Sequence, residues 1–159
     1  MTDTPNICDD VFTWLQRNAD DVPGKIAIRS LEQGKDISYA ELFRVANRIG
    51  RFYESRGIGR NDRIALLSNN SIEHLAVYFA SLAYGCTICT IHVEMNASYF
   101  EEILNAINAK VVLCEADQPV LEKLAGKVPG EWVDLGEYQP GGGTGAFAMF
   151  AEFDDSAGN

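Results

Sequence analysis

Positive charge is scarce in this chain. Lys and Arg total 13 against 23 Asp and Glu, a formal net charge of −10 over 159 residues, and no Lys or Arg follows Lys127. A surface this acidic has little with which to neutralise a nucleic-acid backbone or to hold an anionic bilayer. Neither is an expected partner, although a single nucleotide needs only a local cluster of donors. The first residues, Met1-Thr2-Asp3-Thr4-Pro5, have neither the basic region nor the apolar stretch of a cleavable leader. The expected location is the cytoplasm.

An uninterrupted membrane span is also missing. Residues 75–93 contain no Asp, Glu, Lys or Arg, a length close to that of a transmembrane helix. Gly85 divides them, however, and Cys86-Thr87-Ile88-Cys89-Thr90-Ile91 is β-branched and strand-like. A buried helix followed by a strand is the better reading.

Metal and redox signatures are incomplete. The cysteines are Cys8, Cys86, Cys89 and Cys114. Cys86 and Cys89 have redox-motif spacing, but such motifs sit at a helix N-terminus, whereas residues three apart on a strand point to opposite faces. No second ligand pair follows at zinc spacing. Core thiols in a reducing compartment are expected, with no metal site.

What is present is core. Apolar residues make up 47% of the chain, enough for one folded domain of this length. Residues 9–19 read as an amphipathic helix ended by Asp20-Asp21-Val22-Pro23-Gly24. Two short strands around residues 25–31 and up to Ile37 read as a hairpin. Ser38-Tyr39-Ala40-Glu41 has the form of a capping box. It opens a helix whose apolar face is Leu42, Val45, Ala46, Ile49, Phe52 and Tyr53, with Gly57 as its stop.

Strand and helix then alternate. Residues 63–68 form a strand, a helix capped by Asn70 runs to Tyr84, and residues 86–92 form the next strand. A second box, Ser98-Tyr99-Phe100-Glu101, opens a further helix with Tyr99, Phe100, Ile103, Leu104 and Ile107 on one side. A strand at residues 110–114, a short helix at 119–125 and a strand at 131–135 complete the series. Short connections of this kind predict a mostly parallel sheet with helices on both faces, a doubly wound α/β fold. Residues 1–139 are expected to form this domain and residues 140–159 a Gly-rich flexible segment.

Ligands of such sheets bind beyond the carboxyl ends of the strands, which directs attention to residues 68–71, 92–96 and 115–117. Asn69-Asn70-Ser71 opens a helix and could receive an anion, or simply cap it. His92 and Glu94 are the candidate ligand-contacting side chains, without a Ser, Cys or Asp partner at diagnostic spacing. His74 lies in a first helical turn. The stretch PGGGTGAFAMF, residues 140–150, lacks the lysine of a Walker loop and the third glycine of a dinucleotide fingerprint. It reads as a surface loop or linker. The chain therefore contains no complete catalytic constellation.

An ordered series of motifs carries a resemblance. These are Pro23-Gly24-Lys25-Ile26-Ala27-Ile28; Ile37-Ser38-Tyr39-Ala40-Glu41-Leu42 with Ala46-Asn47-Arg48; Gly57-Ile58-Gly59-Arg60-Asn61-Asp62-Arg63-Ile64-Ala65; Asn70-Ser71-Ile72-Glu73; Ala83-Tyr84-Gly85-Cys86; and Ala109-Lys110-Val111-Val112. In order and spacing, residues 9 to about 115 resemble the N-terminal region of the adenylate-forming (AMP-binding) acyl- and aryl-CoA synthetases. Two departures stand out: Asn61 replaces a common glycine, and Thr90-Ile91-His92-Val93-Glu94-Met95-Asn96 replaces a Pro-containing segment.

The resemblance implies an enzyme that uses ATP and Mg2+ to convert a carboxylic acid into an acyl-adenylate and then transfers the acyl group to coenzyme A. It also implies that the phosphate loop, the magnesium-binding glutamate and the catalytic lysine belong to later segments. The 159 residues would then be an inactive N-terminal fragment of such a ligase. It places His92 and Glu94 near the coenzyme A entrance of relatives. The alternative is a natural stand-alone binding or scaffolding module without catalysis. A homodimer is left open.

Overall fold

The computed structural model describes residues 10–115, 123–124 and 126–156. Cys8, and most of the helix expected at 119–125, lie outside the described residues. Helix α1 (Val11–Asp21) is capped by Asp10, whose carboxylate accepts the Thr13 N–H at 2.7 Å. An antiparallel hairpin follows, β1 (Ile26–Ser30) and β2 (Lys35–Ser38).

Helix α2 (Tyr39–Ser55) starts where Ser38 Oγ accepts the Glu41 N–H. Only this half of the expected box is present. The Glu41 carboxylate accepts instead from the Tyr138 hydroxyl and from Arg44, because a residue from the far end of the chain packs against this turn. All six apolar residues assigned to the α2 face are buried.

Strand β3 (Arg63–Leu67), helix α3 (Ile72–Ala83), strand β4 (Thr87–Ile91), helix α4 (Ala97–Ile107), strand β5 (Val111–Cys114) and strand β6 (Glu131–Asp134) follow. The four strands form one parallel sheet in the order β4-β3-β5-β6. Two caps differ from the sequence expectation. Ser71 rather than Asn70 caps α3, accepting the His74 N–H. Asn96 rather than Ser98 caps α4, and Tyr99 is exposed rather than on the packed side. In both cases more than one capping residue stands within a turn of the helix start, and the choice falls to the one that lets the apolar stripe meet the sheet.

Both sheet faces are covered. Ile64 and Leu66 point into the main core with α1, α2 and α3, while Ala65 and Leu67 point into a second cluster with Phe100 and Leu104 of α4, the alternation a strand imposes. Asn61 has φ +66°. Its replacement of glycine is tolerated because Asn is among the residues that occupy the left-handed region most readily.

The last described segment corrects an expectation. Residues 140–150 are not a free linker: β7 (Tyr138–Gln139) and β8 (Gly142–Gly143) pair antiparallel, and helix α5 (Gly145–Phe150) buries Ala146, Phe147 and Phe150 in the main core. Phe150 meets Phe52 of α2 edge-on at a 5.0 Å centroid separation. Burying two phenylalanines is worth roughly 3–6 kcal/mol, which offsets the entropy of ordering a glycine-rich turn. Beyond α5, Asn47 Nδ2 donates to the Asp155 carbonyl at 3.0 Å, so the chain after the helix also returns to α2.

Candidate functional site

The carboxyl ends of β3, β5 and β6 open onto a cleft of about 650 Å³. Strand β3 connects to β4 on one side while β5 connects to β6 on the other, so this is where the winding of the sheet reverses. In such folds that crevice is the natural ligand position.

Two of the three segments picked out from sequence meet here. The Glu115 carboxylate accepts the Asn69 backbone N–H at 2.9 Å and the Asn69 side-chain amide at 3.0 Å. Ser71 is occupied as a helix cap. Donors that could have received an anion are thus turned onto groups of the chain itself. Ala116 and Asp117 lie outside the described residues.

His92 and Glu94 are exposed beyond β4, the outer strand, and do not line this cleft. The Glu94 N–H donates to His92 Nδ1 at 3.2 Å, so the ring closes its own turn. The two candidates are neighbours of each other and not of the cleft.

Sequence reasoning missed the centre of the cleft wall, Glu73. It stands in the first turn of α3, 2% exposed. Its carboxylate accepts from Gln33 Nε2 at 2.7 Å and from the Tyr138 N–H at 2.8 Å, and Lys35 Nζ lies 3.6 Å away. Gln33 Oε1 in turn accepts the Ile72 N–H. Burial pushes the Glu73 pKa up, but the Gln33 and Tyr138 hydrogen bonds and the Lys35 ammonium outweigh it and hold the group below its ordinary value. The available signal was a lone carboxylate opening an otherwise apolar helix.

Every charged residue of the lining is acidic: Glu115, Asp134 and Glu137 join Glu73, and among the described residues no Lys or Arg lines the cleft. Lys35 is shared among Glu73, Glu137 at 3.7 Å and the Tyr138 carbonyl at 3.4 Å. Triphosphate needs clustered donors and cations, so the described residues do not fit it. No group of His, Cys, Asp and Glu suited to a metal occurs among the described residues, and no helix there is long and apolar enough to cross a membrane.

Burial pushes the Cys86 and Cys114 thiols up to about 11, the opposite of what a redox thiol needs. His74 Nδ1 lies 2.7 Å from Ser68 Oγ, and burial lowers its pKa. A lowered folded pKa means neutral histidine favours the fold. Stability is therefore expected to be complete above the unfolded value and to fall as pH drops from about 6.5 through the folded pKa. Thermal midpoints between about pH 7.5 and 5 should show this slope in the natural chain, and His74→Gln should flatten it; an unchanged slope would exclude His74 as the source.

A sequence profile described as AMP-binding enzyme matches residues 15–140. A 2-succinylbenzoate–CoA ligase from Oceanobacillus iheyensis is 29% identical over 115 residues, covering 70% of this chain and 24% of that protein. Among solved structures, ATP-bound MatB from Rhodopseudomonas palustris superposes with a TM-score of 0.74 at 27% identity, over 92% of this chain and 28% of that one. The inhibitor-bound N-terminal domain of FACL13 from Mycobacterium tuberculosis shares the fold, with a TM-score of 0.78 at 20% identity over 94% of this chain and 37% of that one. The chain spans about a quarter of the length of the curated relatives it matches.

Proposed function

Because the chain belongs to the AMP-binding enzyme family, we propose that it forms the N-terminal part of an ATP-dependent acid–thiol ligase. The reaction is conversion of a carboxylic acid into an acyl-adenylate with Mg2+ and ATP, then transfer of the acyl group to coenzyme A, in the cytoplasm. The observation that carries this reading is the profile match over residues 15–140, joined to relatives that are themselves CoA ligases.

The acidic cleft limits what these residues do on their own. With Glu73, Glu115, Asp134 and Glu137 on its wall and Lys35 already engaged, it repels a triphosphate. The groups that hold ATP and the acid are supplied by other segments, and residues 1–159 act as a scaffold. His92 and Glu94, exposed beyond β4, are the side chains proposed to border the coenzyme A path.

ATP–pyrophosphate exchange tests this with a panel of aliphatic and aromatic acids. Residues 1–159 alone should give no exchange above background. A chimera of a full-length CoA ligase carrying residues 15–140 in place of its own segment should retain it. In that chimera His92→Ala should raise the KM for coenzyme A several-fold and leave exchange unaltered. Exchange by the isolated chain, or a folded chimera without it, would overturn the assignment.

A further inference from the structure

Ala46-Asn47-Arg48 belongs to the ordered series of sequence motifs, yet neither Asn47 nor Arg48 lines the acidic cleft. Asn47 stands among the buried apolar residues of α2 and is 1% exposed. A buried amide needs partners at both of its ends, and Asn47 has them on two different segments. Its Oδ1 accepts from the Tyr84 hydroxyl at 3.0 Å. Its Nδ2 donates to the carbonyl of Asp155, 108 residues along the chain.

The neighbourhood is shaped around this amide. A Cβ at Gly50 would fall inside the Tyr84 ring, so α2 gives up a side chain one turn after Asn47 to let that ring lie against it. The Tyr84 hydroxyl then fixes which way the amide faces, with its NH2 group toward the outgoing chain. Arg48, the next residue, reaches the same target: its Nη2 lies 3.4 Å from Asp155 Oδ2. Arg48 Nε is buried without a hydrogen-bond partner, and Arg48 and Asp155 line one small cavity of about 90 Å³. A guanidinium suits a carboxylate with two parallel donors, so Arg48 holds Asp155 with one and keeps another in reserve. Phe153, two residues earlier, meets Phe52 of α2 edge-on at 6.2 Å. Asp155 is thus gripped by its main chain and by its side chain, just where the apolar contacts end.

We propose that Asn47 and Arg48 are positioning residues, which clamp Asp155 to α2 and so fix the point and direction from which the chain continues to the ATP-holding segments of the ligase. This inference rests on the ligase reading. The acidic cleft repels triphosphate, so donors for ATP come from other segments and their placement has to be set by contacts of this kind. An apolar contact tolerates sliding, whereas a fully satisfied buried polar network specifies one arrangement. A displacement of about 1 Å caused far from the chemistry can cost about a hundredfold in rate.

The test compares two losses at the same amide, in a chimera of a full-length CoA ligase carrying residues 15–156. Asn47→Leu removes both of its bonds, whereas Tyr84→Phe removes only the one that does not involve Asp155. In ATP–pyrophosphate exchange, Asn47→Leu should raise the KM for ATP at least tenfold, and Tyr84→Phe should leave it within about twofold. Loss of folded enzyme lowers kcat and leaves KM alone, so the KM separates positioning from stability. In the 159-residue chain, Asn47→Leu should speed hydrogen exchange at least tenfold at Glu152, Phe153 and Ser156, whose N–H groups bond within the clamped segment and α5. Tyr84→Phe should leave those amides unchanged. Should Asn47→Leu fail to fold, Arg48→Met removes the other half of the clamp and should raise the same KM several-fold. An unchanged KM in the folded variant, an equal shift in Tyr84→Phe, or unaltered hydrogen exchange at residues 152–156 would overturn the clamp and leave the ligase reading in place. A folded, unsubstituted chimera without pyrophosphate exchange would overturn the ligase reading and the positioning role with it.

Discussion

Gly143→Ala is expected to lower the thermal midpoint by about 10 °C, corresponding to about 3–4 kcal/mol for a domain of this size, while Gly142→Ala next to it leaves the midpoint within about 2 °C. Gly143 has φ +137°, and a Cβ there would lie 2.2 Å from the Glu137 carbonyl oxygen and 2.9 Å from the Phe147 Cβ. The oxygen belongs to the backbone and cannot swing away, so the β7–β8 hairpin would have to open. That lifts α5 and draws Phe147 and Phe150 out of the core. Gly142 meets nothing within 4 Å, and its backbone angle is open to other residues. Thermal melts followed by near-ultraviolet circular dichroism separate the two. Equal effects would mean that the glycines act through chain flexibility and not through a contact.

The same pair shows where sequence reading stopped. Glycine-rich stretches are ambiguous locally: a linker, a phosphate loop and a tight hairpin all want small residues and positive φ. What distinguishes them is the partner of each Cα–H. For Gly143 the partner is Glu137, and for Gly136 it is the Thr144 carbonyl oxygen, which lies 2.1 Å from where a Cβ would stand. No periodicity encodes such contacts. The α2 face and the alternation through β3 were legible because 3.6- and 2-residue periods report burial directly.

The helix caps were legible to within one or two residues, since Asn70 and Ser71 carry equivalent side-chain oxygens and only the docked helix distinguishes them. The cleft was the least legible part. Its position follows from the sheet order, but Gln33, Glu73, Glu115 and Tyr138 come together from four separate segments. The acidity of Glu73, Glu115, Asp134 and Glu137 reverses the anion site that Asn69-Asn70-Ser71 suggested. His92 and Glu94 were conspicuous because they follow a strand, whereas the carboxylate with most partners sits in a motif where it looked like an ordinary first-turn glutamate.

Glu73→Ala should be the most disruptive change in the cleft, costing about 3–5 kcal/mol, the range for removing one partner of a buried charged network. Three groups lose their acceptor at once: Gln33 Nε2, the Tyr138 N–H and Lys35 Nζ. Each buried donor left unpaired costs about 1–3 kcal/mol, and Lys35 contributes less because its side chain is 32% exposed. Since Glu73 joins α3 to both the β1–β2 loop and β7, the loss should loosen two hairpins together. Hydrogen exchange should then rise at Ile72, whose N–H bonds to Gln33, and at Tyr138. Glu73→Gln keeps one acceptor for the Tyr138 N–H but offers Gln33 and Lys35 no charge, so its cost should fall between the natural chain and the alanine variant. The pH dependence carries an independent signature. The folded-state pKa of Glu73 lies below its ordinary value, so its contribution is present above the unfolded value of about 4.3 and is lost as pH falls through the folded pKa. Urea midpoints measured between about pH 6 and 3 should therefore converge for the natural chain and Glu73→Gln as the pH falls. A constant gap between them would assign the effect to packing and leave the carboxylate's charge without a structural role.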